Sequence, residues 1–255
     1  MNICVFDTET VGKVSQDLLN VGYKIIDLNV QKGTFTTLVE RDYLVAKLFN
    51  NTIYMMNDDF VGAEKYGKYV LGLTNKKIIK RGVSQIMETM RNDFKKHNVL
   101  FSYAYNNKFD MDKFEKTCAS IGCENPIKNE NCFDIWAYAC KYIVDTPEYK
   151  EWARDNEVFT ESGVYISTSV ESVIKYLNND LKFVEDHTAL SDVQWETKIL
   201  VECVKRGCDI TRPMPLKRFF PSEKVNKRTI SLPDGQEIAI EYKKAYEKNG
   251  VISYK

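Results

Sequence analysis

Asp7 and Glu9 stand one residue apart at the end of a short apolar run, Ile3-Cys4-Val5-Phe6. Side chains alternate along a strand, so both carboxylates leave on the same side just beyond that run. Two such groups aimed together repel and give up their charge unless a cation sits between them. Their hard oxygens suit Mg²⁺ or Mn²⁺. A second acid, Asp110, closes the stretch Asn106-Asn107-Lys108-Phe109-Asp110. A strand ends and a helix begins there, the usual place for sites in open α/β sheets. Alone, Asp110 reads as an ordinary first-turn acid favoured by the helix dipole. The third group is His187-Thr188-Ala189-Leu190-Ser191-Asp192, before and within the last long helix. The chain has 2 histidines, and the other, His97, follows Lys95-Lys96 at a solvated helix end.

These groups need elements to hold them. The run from Ile3 to Phe6 suits a central strand, and residues 23–30 and 35–43 read as two more around a Gln31-Lys32-Gly33 turn. Together they predict an N-terminal antiparallel sheet. Residues 50–80, rich in Asn, Asp, Gly and Tyr, read as loops with a short helix. Val83, Ile86, Met87, Met90 and Phe94 recur at helical spacing and predict a helix over 83–96. A strand over 99–105 and a helix over 108–121, stopping near Gly122, follow. Thr146-Pro147 starts another helix, and residues 159–167 read as a small hairpin with Ser162-Gly163 at its tip. Thr168 and Glu171 read as a capping box ahead of a buried stripe of Val170, Val173, Ile174 and Leu177. The helix through Asp192, Leu200 and Val204 ends at Lys205-Arg206-Gly207.

In order and spacing, Phe6-Asp7-Thr8-Glu9-Thr10, then Asn106-x-x-Phe109-Asp110, then His187-x-Ala189 with Asp192 five after the histidine, resemble the three motifs of the DEDDh group of DnaQ-like 3′–5′ exonucleases. The resemblance covers residues 1 to about 208. It departs at Tyr105, where the family commonly has His, and at Val11-Gly12-Lys13, where it commonly has Thr-Gly-Leu. The missing Leu leaves the wedge against terminal bases to Val11 or Val14.

The resemblance implies an α/β fold, an RNase H-like mixed five-stranded sheet flanked by helices; the tail beyond it reads, from its own residues, as a small C-terminal β-hairpin extension. It implies two divalent cations, Mg²⁺ or Mn²⁺, held by Asp7, Glu9, Asp110 and Asp192. Asp7 would bridge both, Glu9 and Asp192 would complete the inner site, and Asp110 would hold the second ion. His187 would be the general base, a role for which imidazole is suited near neutral pH. Thr8, Thr10, Val11, Asn106 and Phe109 would contact substrate. The expected partner is the 3′ end of single-stranded DNA or RNA, together with a separate polymerase if the chain is a proofreading subunit. The rival reading is a catalytically silent nucleic-acid-binding or polymerase-associated module, which has no need of four clustered carboxylates and a histidine.

Composition narrows the field. Lys and Arg number 36 and Asp and Glu 36, so the net charge of +0 excludes a globally basic coat. Within it, residues 212–255 carry ten cations against five acids, and residues 1–211 the complementary excess of acid. Arg212-Pro213-Met214-Pro215 breaks any helix, which divides the chain into a domain over 1–211 and a basic extension over 212–255. The extension holds a hairpin candidate, with Ile230 and Leu232 on one strand, Ile238 and Ile240 on the other, and Pro233-Asp234-Gly235 between. Lys217, Arg218, Lys224, Lys227 and Arg228, interleaved with Phe219 and Phe220, either grip a phosphate backbone or decorate a hairpin packed through its phenylalanines. The 7 cysteines include no Cys-x-x-Cys pair, and Cys118, Cys123, Cys203 and Cys208 read as core rather than zinc ligands. No Gly-rich phosphate loop occurs. Trp136, Tyr138 and Tyr142 read as packing and Asp134 as structural. With no secretory leader and no apolar span, a soluble, reduced, cytoplasmic protein with no membrane partner is expected.

Overall fold

The computed structural model describes residues 1–10, 18–46, 60–219, 226–231, 237–242, 246–248 and 251–253. Three long strands open the chain: β1 (Asn2–Thr10), β2 (Leu18–Asn29) and β3 (Thr34–Val45). Their β-branched and aromatic residues favour extended backbone, and both pairings are antiparallel. Gly33 turns β2 into β3 with φ +58, a left-handed conformation that costs glycine little. Helix α1 (Phe60–Thr74) and strand β4 (Ile79–Arg81) follow. Next come α2 (Val83–His97), β5 (Phe101–Ala104), α3 (Asn107–Ile121), β6 (Cys132–Asp134) and the short α4 (Ile135–Ala139). Later helices are α5 (Pro147–Asp155), α6 (Val170–Asn178) and α7 (Ala189–Lys205).

The sheet is mixed, in the order β4-β3-β2-β1-β5-β6. It therefore has six strands rather than the five expected. The additional strand, β4, pairs parallel with the end of β3 through Ile79, Lys80 and Arg81. Three residues, two of them cationic, carry too little hydrophobic alternation to read as a strand. The preceding α1 is likewise a full 15-residue helix where loops and a short helix were expected.

Alternation along β1 divides the core. Cys4 and Phe6 face the side of the sheet covered by Ile86, Met87 and Met90 of α2 and Met111, Phe114 and Cys118 of α3. Phe6 meets Phe114 edge-on, with ring centroids 5.7 Å apart. Helix α7 packs on β1 and β2. A buried polar tie joins the sheet to α2: Asp93 accepts from the Tyr23 hydroxyl at 2.8 Å and from Arg41 Nε at 3.1 Å. The cap of α6 is Ser169, whose hydroxyl accepts from the Ser172 N–H at 3.1 Å, rather than Thr168. Thr168 instead uses its hydroxyl to accept from Trp136 Nε1.

The chain divides into two compact units, residues 1–144 with 168–217, and residues 145–167 with 218–255. In the second unit Thr146 caps α5 by accepting the Tyr149 N–H at 3.3 Å. Phe159 bridges Ile166, and the Ile166 N–H donates to the Phe219 carbonyl at 2.8 Å. Phe219 is buried beneath the Lys150 ammonium, so it is a packing residue and not an open base platform. Strands β7 (Asn226–Ser231) and β8 (Glu237–Tyr242) form the expected hairpin, with Ile230 opposite Ile238. A second pair, β9 (Tyr246–Lys248) and β10 (Val251–Ser253), follows it. Leu232, Pro233, Asp234 and Gly235 at the turn, with Phe220 and Lys224, lie outside the described residues. No helix among the described residues is long and apolar enough to cross a membrane.

Candidate metal centre

The end of β1 delivers Asp7 and Glu9, and the first turn of α7 delivers Asp192. Each offers a carboxylate oxygen, and these atoms all lie within 4.8 Å of one another. The meeting depends on β2. Gly22 pairs with Asp7 in the sheet register, and the start of α7 lies directly on it. A Cβ at Gly22 would stand 2.4 Å from the Ala189 carbonyl carbon and 2.4 Å from the Leu190 nitrogen. Asn20 fixes the same crossing from within the core. Its carbonyl oxygen accepts the Ala189 N–H at 2.9 Å, while its amide donates to Asp42 at 2.6 Å and to the Tyr43 carbonyl at 3.0 Å.

Asp110 arrives on α3 from the other side of the sheet. The Thr8 N–H and hydroxyl both donate to its Oδ1, at 3.0 and 2.6 Å. Asn106, at φ +61, turns β5 into α3, and its N–H is held by Asp134 at 2.9 Å. Asp134 also caps α4 through the Trp136 N–H, which accounts for its structural role. Glu196, one turn beyond Asp192 on α7, was not singled out from the sequence. It is 2% exposed and accepts the Tyr105 N–H at 3.2 Å. The four-residue spacing from Asp192 puts both acids on one side of the helix, within the stripe of Val193 and Leu200. An acid at that spacing on an otherwise apolar face is the signal that reveals it.

Crowding five carboxylates into this volume shifts their titration. Burial, followed by the charges of Asp110, Glu196, Glu9 and Asp192, raises Asp7 well above the usual range. Burial raises Asp192 to about 8, with Glu185 and Glu9 adding to it and Lys65 opposing. Asp110 is pushed up to about 7 by burial, against the Thr8 hydrogen bonds that pull it down. Glu196 is raised well above its ordinary value by burial and by Asp110 and Asp192. Asp7 Oδ2 and Asp192 Oδ1 are buried with no hydrogen-bond partner. Such orphaned oxygens cost stability unless something satisfies them. Two orphaned hard oxygens beside a third carboxylate fit a divalent cation of the Mg²⁺ or Mn²⁺ type. Among the described residues the cation paired with this group is Lys65 of α1, whose Nζ is 2.6 Å from Glu9 Oε2. Lys65 lies in the stretch whose composition gave no readable pattern.

His187 is exposed, at φ +52, just ahead of Thr188, the N-cap residue of α7, and its ring is not part of the group of converging ligand atoms. Its neighbour Asp186 is tied down by Lys68, which reaches the carboxylate at 3.0 Å and the carbonyl at 3.1 Å. Of the residues expected at the substrate, Phe109 is 43% exposed with the Lys113 ammonium 4.5 Å from its ring centroid. Asn106 is exposed, Thr10 is half-buried at the end of β1, and Val11, Lys13 and Val14 lie outside the described residues. Thr8 is buried and commits its hydroxyl to Asp110. Tyr105 stacks on Trp136 with centroids 6.2 Å apart and donates its hydroxyl to the Thr168 carbonyl. The aromatic pair therefore packs the β5–α4 junction, as expected for Trp136. Neither a protein-family model nor a curated protein matches this chain.

Proposed function

We propose that this protein is a metal-dependent 3′–5′ exonuclease that hydrolyses the terminal phosphodiester of single-stranded nucleic acid and releases 5′-mononucleotides. One observation carries the reading. Carboxylates from Asp7, Glu9 and Asp192, some 185 positions apart in sequence, converge within 4.8 Å, with two orphaned oxygens among them. An RNase H-like arrangement of the six-stranded sheet belongs to the same proposal, as does its resemblance to the DEDDh exonucleases.

Asp7, Glu9 and Asp192 would hold one cation, and Asp7 with Asp110 a second. Bound divalent ions supply charge stabilisation to the entering and leaving oxygens of an in-line displacement. Thr8 orients the Asp110 carboxylate. His187 takes a proton from the attacking water at a ring nitrogen. As the new P–O bond forms, the P–O3′ bond breaks, and the departing 3′ oxygen takes up a proton. The exposed Phe109 ring beside Asp110 offers a face on which the terminal base can stack. Without cations, the acidic centre repels a phosphodiester, so cation binding precedes productive substrate binding.

The test is incubation of a 5′-labelled single-stranded oligonucleotide, as matched DNA and RNA, with Mn²⁺ or Mg²⁺ and then with EDTA. Stepwise shortening from the 3′ end that EDTA stops, and that the Asp7→Asn protein lacks, supports the assignment. Metal-dependent strand binding without shortening identifies the silent binding module instead.

A further inference from the structure

Lys65 brings a fixed positive charge into the acidic centre, and the cation-binding reading leaves it without a purpose. Its side chain is 17% exposed and Glu9 is 19% exposed. An ammonium this far from solvent needs a carboxylate partner, and Glu9 supplies it at 2.6 Å. Three residues along α1, Lys68 contacts Asp186 next to His187. Successive turns of α1 therefore grip both the end of β1 and the segment leading into α7. Glu9 is also one of the three carboxylates that converge as ligands. A divalent cation and the Lys65 ammonium consequently draw on one carboxylate, and like charges brought to one carboxylate repel.

We propose that Lys65 is a built-in counter-ion that holds Glu9 in the metal-free protein, yields it to the incoming divalent cation, and then pairs with a non-bridging oxygen of the substrate phosphate. This rests on the metal-centre reading given above and assigns the site a residue and an order of events. The lysine stem has four carbons, so the ammonium can leave Glu9 while its backbone stays in α1. Once displaced it needs another anion, and the group the site receives is a phosphodiester, for which lysine is a suitable point-charge partner. Lys65 is then a substrate-contacting residue whose charge links metal loading to substrate affinity.

Manganese titration by calorimetry into the full-length, metal-free protein tests the first half. Lys65→Met keeps the length of the stem and removes the charge. It should bind Mn²⁺ about fivefold or more tightly than the wild type, and Lys65→Arg should stay within about twofold of it. Equal or weaker Mn²⁺ binding by Lys65→Met would overturn the exchange. Fluorescence anisotropy of a labelled single-stranded oligonucleotide in Ca²⁺ tests the second half without turnover. Lys65→Met should bind about fivefold more weakly, with a salt dependence shallower by about one counterion. Unchanged strand binding would overturn the transfer to phosphate.

Acetic anhydride labelling of the unmodified protein, read by peptide mass spectrometry, decides the case even if the variants fold poorly. Lys65 should react faster once Mg²⁺ is added and slow again when the oligonucleotide follows. Unchanged Lys65 reactivity would refute the proposal. The two readings fail differently: a wild-type protein that takes up no Mn²⁺ sinks the metal centre itself. One that takes up Mn²⁺ but degrades no strand sinks only the nuclease, and the Lys65 exchange is still decided by the titration.

Discussion

Asp7 on β1 stands opposite Gly22 on β2, and the backbone of α7 lies against Gly22 where a side chain would otherwise project. The distance between the strand that carries Asp7 and the helix that carries Asp192 is thus set by a missing Cβ. Helix and sheet meet backbone to backbone there, and the Asn20 amide ties the same helix start to β3 through Asp42 and Tyr43.

Gly22→Ala should therefore separate the ligands. Its Cβ would fall 2.4 Å from main-chain atoms that have no rotamer to escape into. Overpacking of this kind costs about 1–3 kcal/mol, and the displaced helix takes Asp192 away from Asp7. Urea unfolding should show the loss, and Mn²⁺ titration should show affinity falling with it. A stable variant with unchanged Mn²⁺ affinity would mean that α7 finds its place without this contact.

Thr8→Val removes the hydroxyl that donates to Asp110 at 2.6 Å and leaves the side-chain volume nearly unchanged. That hydrogen bond pulls the Asp110 carboxyl down towards about 7, against burial. Without it the carboxyl titrates higher, and cation loading shifts to higher pH. Affinity near neutral pH should fall roughly tenfold, since a hydrogen bond to a charged group contributes about 1.5–3 kcal/mol. Mn²⁺ titrations between about pH 6 and 9 check this; a superimposable pH profile would contradict it.

His187→Ala separates proton transfer from cation binding. The exposed ring is not among the converging ligand atoms, so Mn²⁺ affinity should be retained. Turnover of a single-stranded oligonucleotide should drop about 10²–10⁴-fold, the usual contribution of a general base. Loss of Mn²⁺ affinity in the variant would make His187 a ligand instead.

The metal-free protein should lose stability as pH rises from about 4 towards 8. Asp192, Asp110, Glu185 and Asp42 are raised in the folded state to about 8, 7, 7 and 6, with burial the largest cause in each. The unfolded chain releases these protons near pH 4. Over the intervening range the folded state holds more protons, so its stability declines with pH. Saturating Mn²⁺ favours ionised ligands and should flatten or reverse the slope. Asp42, which bonds to Asn20 outside the centre, should keep its share of the decline. Thermal melts at several pH values, with EDTA and with Mn²⁺, provide the check; parallel curves would show that the cation does not engage these acids.

The sequence discloses those parts of the site that are local. Asp7 and Glu9 follow an apolar run whose two-residue period already fixes their direction, and the helix repeat of 83–96 appears at Val83–His97. Asp110 and Asp192 lie in the first turns of helices whose far ends are marked by the stop signals Gly122 and Lys205-Arg206-Gly207. Contacts between distant segments leave no such trace. The Lys65–Glu9 pair, the Asn20 link to Ala189 and the bare backbone contact at Gly22 each depend on how elements stack. Glu196 was readable in principle from its spacing to Asp192, yet its burial beside the Tyr105 N–H is a consequence of packing. Strand β4 is held by its parallel pairing to β3, and its own residues scarcely specify it.

The second unit, assembled from residues 145–167 and 218–255, imposes an order on synthesis. Its first segment leaves the ribosome about fifty residues before its partner does, and the Ile166 N–H has to wait for Phe219. By then Asp192 and Glu196 have already emerged, so the acidic centre can close while the second unit is still half made. During that interval Ile166, buried in the finished unit, lacks the Phe219 carbonyl that its N–H bonds, and incompletely packed apolar chain of this kind is prone to aggregate. A nascent chain held with residue 217 just clear of the ribosome would display Asp7, Glu9 and Asp192 already gathered while its other unit remains unfolded.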